Sequence, residues 1–108
     1  MLSGYRMMWM MVLFDLPVLT KKERKAATGF RNHLLDLGFE MAQFSVYLRF
    51  CAGKEQSESL TRKVRTKLPP GGKVDILCFT DKQYENIVSF TGRTKADSRK
   101  NPSQFELF

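Results

Sequence analysis

The clearest pattern in the chain is a run of apolar residues that ends in a carboxylate and a proline. Every position over 7–14 is apolar, and Asp15-Leu16-Pro17 follows. A run without alternation is typical of a strand buried on both faces, although a buried helix can show the same pattern. Pro17 favours the strand, because proline disfavours helical dihedral angles at the preceding residue and has no N–H for a sheet ladder. We therefore predict a strand over 8–15. Asp15 then either carries chemistry at the strand end or only begins a turn.

Two stretches with helical spacing follow. The segment Thr20-Lys21-Lys22-Glu23 matches a capping box, in which the threonine and the glutamate each accept a backbone N–H of the other. The predicted helix runs to about residue 37 and ends at Gly38, with apolar positions at Ala26, Phe30, Leu34 and Leu37. A second helix is predicted over 54–67, with a thin apolar stripe and a stop at Pro69-Pro70-Gly71-Gly72. Its stripe consists of Leu60, Val64 and Leu68.

The remaining segments are predicted as strands, turns and a tail. Residues 39–51 predict two strands with a break near Phe44-Ser45, and residues 73–80 predict a fourth strand. A short turn over 81–85 and a fifth strand over 87–90 should follow. The order strand, helix, strand, strand, helix, strand is that of the α+β ferredoxin-like fold, with a four-stranded antiparallel sheet and both helices on one face.

Length and apolar content predict one ferredoxin-like domain over 1–91 and a tail over 92–108. The tail is polar and basic up to about residue 103, which indicates mobility. Its end is too apolar to be left in water, and we expect it to dock on a partner chain through Phe105, Leu107 and Phe108. The second face of the sheet is also apolar, so we predict that a sheet-to-sheet homodimer covers it.

The net charge of +7 and the pI of about 9.7 favour a polyanionic partner. No apolar run is long enough for a membrane span, and no secretory signal is evident, so we expect no membrane partner and a cytoplasmic location. Cys51 and Cys78 are then expected to be reduced core residues. The predicted nucleic-acid-binding residues are Lys21, Lys22, Arg24, Lys25, Arg62, Lys63, Arg65 and Lys67; a solvated charged face is the alternative. Stacking of bases on Tyr47 and Phe50 is a further alternative.

Several segments together resemble one protein family. They are Leu13-Phe14-Asp15-Leu16-Pro17, the basic helix, Gln43-Phe44-Ser45-Val46-Tyr47, and the Pro-Gly loop before Lys73-Val74-Asp75-Ile76-Leu77. In this combination the chain resembles the small CRISPR-associated adaptation protein, the non-integrase subunit of the spacer-acquisition complex. That family is often described as metal-dependent endonucleases. The resemblance covers about residues 8–90.

The resemblance implies a homodimer in which Asp15 and its two-fold mate hold Mg²⁺ or another divalent cation, with Ser45 nearby. It also implies that the dimer bridges integrase subunits and supports double-stranded DNA. One hypothesis is therefore a Mg²⁺-dependent endonuclease with Asp15 as metal ligand, on DNA or single-stranded RNA. The other, which we favour as the main role, is a DNA-binding scaffold, because duplex binding needs only charge and shape. A toxin-type ribonuclease of the same fold is a third possibility. His33, Asp36, Glu40 and Asp75 are predicted to be surface residues without a catalytic role.

Overall fold

The computed structural model describes residues 7–97 and 99. Its elements follow the predicted order over the first four strands and two helices. They are β1 (Met8–Asp15), α1 (Lys21–Asp36), β2 (Glu40–Gln43), β3 (Val46–Cys51), α2 (Lys54–Arg65), β4 (Lys73–Thr80), α3 (Asp81–Glu85), β5 (Phe90–Thr91) and β6 (Thr94–Lys95). The predicted docking residues Phe105, Leu107 and Phe108 lie outside the described residues.

The main sheet has four antiparallel strands in the order β2-β3-β1-β4, which confirms the ferredoxin-like fold. β1 is therefore an inner strand with a neighbour on each side. Its register places Leu13 opposite Val46 of β3 and Asp15 opposite Lys73 of β4. The uninterrupted apolar run fits this position. One face of β1 is buried against the helices, and on the other face Trp9 is buried while Met11 and Leu13 are half-buried.

Side chains of β1 alternate between two environments. Those of Met10, Val12 and Phe14 pack with the helices in the main core, where Phe30 and Leu34 of α1 and Leu60 and Val64 of α2 meet them. Trp9 belongs to a second, smaller cluster on the other side of the sheet, with Leu48 and Tyr84. We call this side the open face, because no helix longer than α3 lies on it in the described part of the chain.

The start and end of α1 follow from local chemistry. Thr20 Oγ1 accepts a hydrogen bond from the Glu23 N–H at 3.1 Å, and Glu23 Oε1 accepts one from the Thr20 N–H at 2.8 Å. The predicted capping box is therefore present. Gly38 has a φ of 88°, the left-handed conformation expected just after a helix. The buried face of α1 contains Ala27, Phe30 and Leu34.

Helix α2 ends earlier than predicted. Its last residue is Arg65, and Thr66 caps it with a backbone N–H bonded to the Lys63 carbonyl. Leu68 therefore lies beyond the helix and is exposed, so the prediction that it completes the apolar stripe is wrong. Leu60 and Val64 are buried as predicted, and Ser57 takes the position one turn earlier.

The segment after β4 differs from the prediction in two ways. Residues 81–85 form a short helix, α3, because Thr80 and Gln83 make a second capping box. Its Tyr84 ring stacks on Trp9 with 3.9 Å between centroids, which holds the helix on the open face. Residues 87–89 are not a strand. The fifth strand begins at Phe90 and pairs with β6 across a two-residue turn at Gly92, whose φ is 63°. Part of the polar tail is thus ordered as β6.

The cysteines lie in different environments. Cys51 is buried in the main core, as predicted, whereas Cys78 is exposed. The core assignment of Cys78 is therefore wrong: on the same face of the edge strand β4, Val74 and Ile76 pack against the core, whereas Cys78 lines an open groove beside α2. Both are free thiols, and desolvation by the surrounding protein raises the pKa of each above its ordinary value. None of the helices in the described ranges is long and apolar enough to cross a membrane.

Candidate functional site

Asp15 occupies the last position of β1, as predicted, and its side chain is exposed. By the alternation of β1 its side chain lies on the open face, the same side as Trp9. Its carboxylate makes no hydrogen bond or ion pair with another described residue. The site therefore offers a carboxylate whose oxygens are available to a ligand.

The backbone at Asp15 is fixed from one side by Gly72. Gly72 has a φ of 87°, and a Cβ built on it would lie 2.5 Å from the Asp15 carbonyl oxygen and 3.0 Å from Leu16 Cα. Only glycine allows this approach, because any side chain would displace the end of β1. The sequence interpretation assigned Gly72 to a loop and missed this contact. The signal was present, since a Gly-Gly pair directly before a strand marks a close backbone approach.

The other side of the strand end is held by the turn between β2 and β3. Ser45 accepts a hydrogen bond from the Phe14 N–H through its carbonyl oxygen, at 3.0 Å. Its φ of 64° is the one positive value at a non-glycine residue in the described ranges. Ser45 thus lies next to the end of β1, and its observed contact there is through the backbone.

Charged residues beside Asp15 form one ion pair. Lys73 lies opposite Asp15 in the ladder, and its Nζ is 3.6 Å from Asp75 Oδ2. The two side chains are 78% and 62% exposed, so the pair contributes little to stability. Asp75 is a surface charge, as predicted, and its contact with Lys73 keeps the ammonium group of that lysine next to the candidate site.

The described residues of one chain do not form a complete metal site. No group of three or more His, Cys, Asp or Glu residues that could hold an ion occurs among residues 7–97 and 99. Mg²⁺ requires near-octahedral oxygen ligands and usually keeps several waters. One Asp15 carboxylate supplies too few oxygens, so a second chain and a substrate phosphate would have to contribute the others.

The predicted nucleic-acid-binding residues all carry exposed side chains. Four lie in the first two turns of α1 and four in or just after the last turns of α2. The two groups belong to one layer, because His33 Nε2 of α1 lies 2.7 Å from the Lys63 carbonyl oxygen of α2. Lys22 also lines a groove with Pro69 and Pro70. The basic residues therefore lie on the two helices and just after α2, and the groove of Lys22 also includes Leu16 and Pro17, which directly follow Asp15.

The remaining candidates lie away from Asp15. Tyr47 is buried in the main core, where its ring stacks on Phe14 at 5.7 Å, so the alternative that Tyr47 stacks on bases is wrong. Phe50 lies on the open face with its ring edge against Trp9. His33 joins α1 to α2 through the Lys63 carbonyl, in the last turn of α1 and far from its start. This contact gives His33 a role in joining the two helices, which was not predicted from the sequence.

The chain has well-matched relatives. The family model for CRISPR associated protein Cas2 matches residues 8–87, which run from the start of β1 to the second residue after α3. A protein of Paracidovorax avenae named CRISPR-associated endoribonuclease Cas2 is 64% identical over 108 residues, covering 100% of both chains. A protein of the same name from Flavobacterium psychrophilum is 47% identical over 107 residues, covering 99% of this chain and 93% of its own length.

The matched span contains Asp15, the Ser45 turn and Gly72, which together form the strand end described above. A third relative of the same name, from Campylobacter jejuni, is 37% identical over 106 residues, 94% of this chain and 74% of that protein. These matches confirm the resemblance drawn from the sequence segments. The chain belongs to the CRISPR-associated protein Cas2 family.

Proposed function

We propose that the chain is a nucleic-acid-binding protein of CRISPR defence that forms a homodimer and cleaves phosphodiester bonds with a divalent cation held by two Asp15 carboxylates. The observation that carries this proposal is the exposed Asp15 carboxylate, without a protein partner, at a strand end whose backbone is fixed on both sides. Support also comes from the relatives, whose names describe them as endoribonucleases.

The open face supports the homodimer. Leu77 is 52% exposed on this face, on the edge strand β4, and Met11, Phe79 and Ile87 on the same side are only partly buried. Val88 and Phe90 of the following segment are exposed as well. A two-fold interface uses the same patch on both copies, so each apolar residue buried on one chain is buried on the other. Because Asp15 is on this face, a dyad near the end of β1 brings the two carboxylates together.

Two Asp15 carboxylates, a substrate phosphate and water would give a divalent cation suitable oxygen ligands. When bound, the ion would polarise a phosphoryl oxygen of the substrate and activate a water molecule for attack. In this arrangement Asp15 holds the ion, and Gly72 and Ser45 keep the strand end in place. Lys73, oriented by Asp75, adds positive charge for the phosphate. The two carboxylates must lie within about 6 Å of each other, since metal–oxygen distances are roughly 2.1 Å.

A scaffold role in spacer acquisition is the second candidate function. In it the dimer bridges integrase subunits and supports double-stranded DNA. The observation in its favour is the exposed positive charge: eight basic side chains on α1, α2 and the segment just after α2 are all exposed. Phosphate contacts need only these charges. Duplex binding would therefore persist if Asp15 were removed.

The variant Asp15→Asn tests both functions, with Asp36→Asn, an exposed carboxylate on α1, as the matched control. Cleavage of labelled single-stranded RNA and duplex DNA is measured with Mg²⁺ and with EDTA, and spacer acquisition is measured in cells. We expect Asp15→Asn and EDTA each to lower cleavage by about 100-fold or more, a size typical of losing stabilisation of transition-state charge. The control should stay within about twofold of the original protein.

The outcomes separate the two roles. Unchanged cleavage by Asp15→Asn contradicts a nuclease centre at this residue. Normal spacer acquisition with lost cleavage makes the scaffold the main role. Lost acquisition by a variant that still dimerises and binds duplex DNA contradicts a role as scaffold alone.

A further inference from the structure

Phe44 has an unusual exposure for a large apolar residue. Its side chain is 91% exposed, the highest value among the exposed large apolar residues of the described chain, and it lies in the turn between β2 and β3. A phenyl ring in water forgoes the stabilisation that burial would give. Single exposed apolar residues are common, so exposure alone assigns no role. The surroundings of Phe44 are what distinguish it.

The backbone around Phe44 is firmly held. Gln43 pairs with Val46, which closes a two-residue turn containing Phe44 and Ser45. Ser45 adopts a φ of 64°, a conformation that side-chain-bearing residues rarely take, and its carbonyl is bonded to the Phe14 N–H. Strained backbone of this kind persists where the surrounding structure over-determines it and is concentrated at functional sites. The ring is therefore carried by a defined turn, and its place does not depend on a mobile loop.

The turn also places Phe44 close to Asp15. One chain step leads from Phe44 to Ser45, one interstrand step from Ser45 to Phe14, and one chain step from Phe14 to Asp15. These steps limit the distance between the Cα atoms of Phe44 and Asp15 to about 13 Å. A nucleotide whose phosphate lies at Asp15 would have its own base, or that of a neighbour, within reach of the ring.

We propose that Phe44 is a stacking platform for a nucleobase next to the phosphate bound at Asp15. The proposal rests on the proposed function, because it takes nucleic acid as the ligand of the Asp15 site. Every base has a π-face, so an aromatic ring binds bases with little sequence preference, and the base must be unpaired to reach it. Phe44 is thus a positioning residue that favours unpaired nucleotides over a continuous duplex at this end of the sheet.

The test measures binding in EDTA, where no metal-dependent cleavage occurs. Labelled single-stranded RNA, the matching single-stranded DNA and a blunt duplex are titrated with the original protein, Phe44→Ala, Phe44→Trp and Leu19→Ala. Leu19 is the control, because it is 88% exposed and apolar but has no aromatic ring. Each single strand is also made in a series in which one nucleotide at a time lacks its base. Oligomeric state is measured by light scattering for every variant.

We expect Phe44→Ala to weaken single-strand binding about 5- to 100-fold, the range for one base–aromatic stack. Phe44→Trp should retain binding, and Leu19→Ala and duplex binding should change less than about twofold. One abasic position should weaken binding by the original protein and have no further effect on Phe44→Ala. If the abasic effect depends on Phe44 with RNA alone, the ligand of the ring is RNA. If it depends on Phe44 with both RNA and DNA, the ring binds the bases of either single strand.

Three results would overturn the proposal. They are equal losses in Phe44→Ala and Leu19→Ala, an abasic effect that is the same with and without the ring, and conversion of a dimer to a monomer by Phe44→Ala. The last result would assign the ring to contact with a second copy. If Asp15→Asn leaves cleavage unchanged while the abasic coupling is present, the stacking role stands and the metal-dependent nuclease fails.

Discussion

At the scale of single residues, the position of the Asp15 carboxylate depends on a glycine that carries no chemistry. Gly72 allows the loop before β4 to pass against the carbonyl of Asp15, at a distance that no side chain would permit. The proposed cation site therefore depends on backbone geometry as much as on the acid itself, because a displaced strand end would move the carboxylate proposed to hold the ion.

The variant Gly72→Ala should lower the free energy of unfolding by about 2 kcal/mol or more, since alanine is strained at this φ and its Cβ would also meet the Asp15 carbonyl. Urea denaturation measures the change. The control is Gly29→Ala in α1, where a Cβ would meet nothing within 4 Å. That substitution should stabilise the protein by about 0.5–1 kcal/mol. A Gly72→Ala protein as stable as the original would contradict the close approach.

At the scale of elements, the helices are joined to the sheet by a few specific contacts in addition to the apolar core. The guanidinium of Arg49 on β3 donates to the Leu37 carbonyl at 2.8 Å and to the Phe50 carbonyl at 2.7 Å. The first of these carbonyls ends α1, where backbone oxygens lack helical partners. Arg49 thus fixes the end of α1 against the sheet, and Gly38 makes room for it, since a Cβ there would lie 3.0 Å from Arg49 Nε.

Arg49→Met keeps the apolar stem but removes the donors. We expect a loss of about 1–3 kcal/mol in the free energy of unfolding, the range for hydrogen bonds that involve a charged group. Hydrogen exchange should also become faster at the end of α1. Arg31→Met is the matched control, because Arg31 makes one exposed hydrogen bond, to Thr28, and should change stability by less than about 0.5 kcal/mol. Equal effects in the two variants would show that Arg49 has no special role.

At the scale of the whole molecule, one side of the sheet is covered by two helices and the other by α3 and a small aromatic cluster. Trp9 donates to Asp81 Oδ1 at 2.9 Å and stacks on Tyr84, so α3 covers only the end of the open face away from Asp15. Leu77 and the residues near Asp15 are left exposed. A second copy is the occupant that would both cover this surface and complete a metal site.

Leu77→Lys should therefore convert the proposed dimer to a monomer at micromolar concentration, because a two-fold interface would bury the new charge twice. Sedimentation velocity measures the change. Leu35→Lys on α1 is the matched control, since Leu35 is 50% exposed on the helical side. It should leave the oligomeric state unchanged. A Leu77→Lys protein that remains dimeric would place the interface on a different surface.

The sequence by itself determined the four-stranded sheet and both long helices, the capping box of α1 and the position of Asp15. These features depend on periodicity and on chemistry within a few residues, which a single segment contains. It also contained two signals that were not used. Thr80 and Gln83 match a capping box, which predicts α3, and Gly92 marks the turn between β5 and β6.

The tertiary structure alone decided which segments from distant parts of the chain lie together. Gly72 and Ser45 are far from Asp15 in sequence, and they meet it only because β1 lies between β3 and β4. The same order makes β4 an edge strand, on which Cys78 is exposed while Val74 and Ile76 pack against the core. It also buries Tyr47 under the helices while Phe44, three residues earlier, stays in solvent. Local pattern cannot show these outcomes, because side-chain burial depends on neighbours supplied by strand order and register.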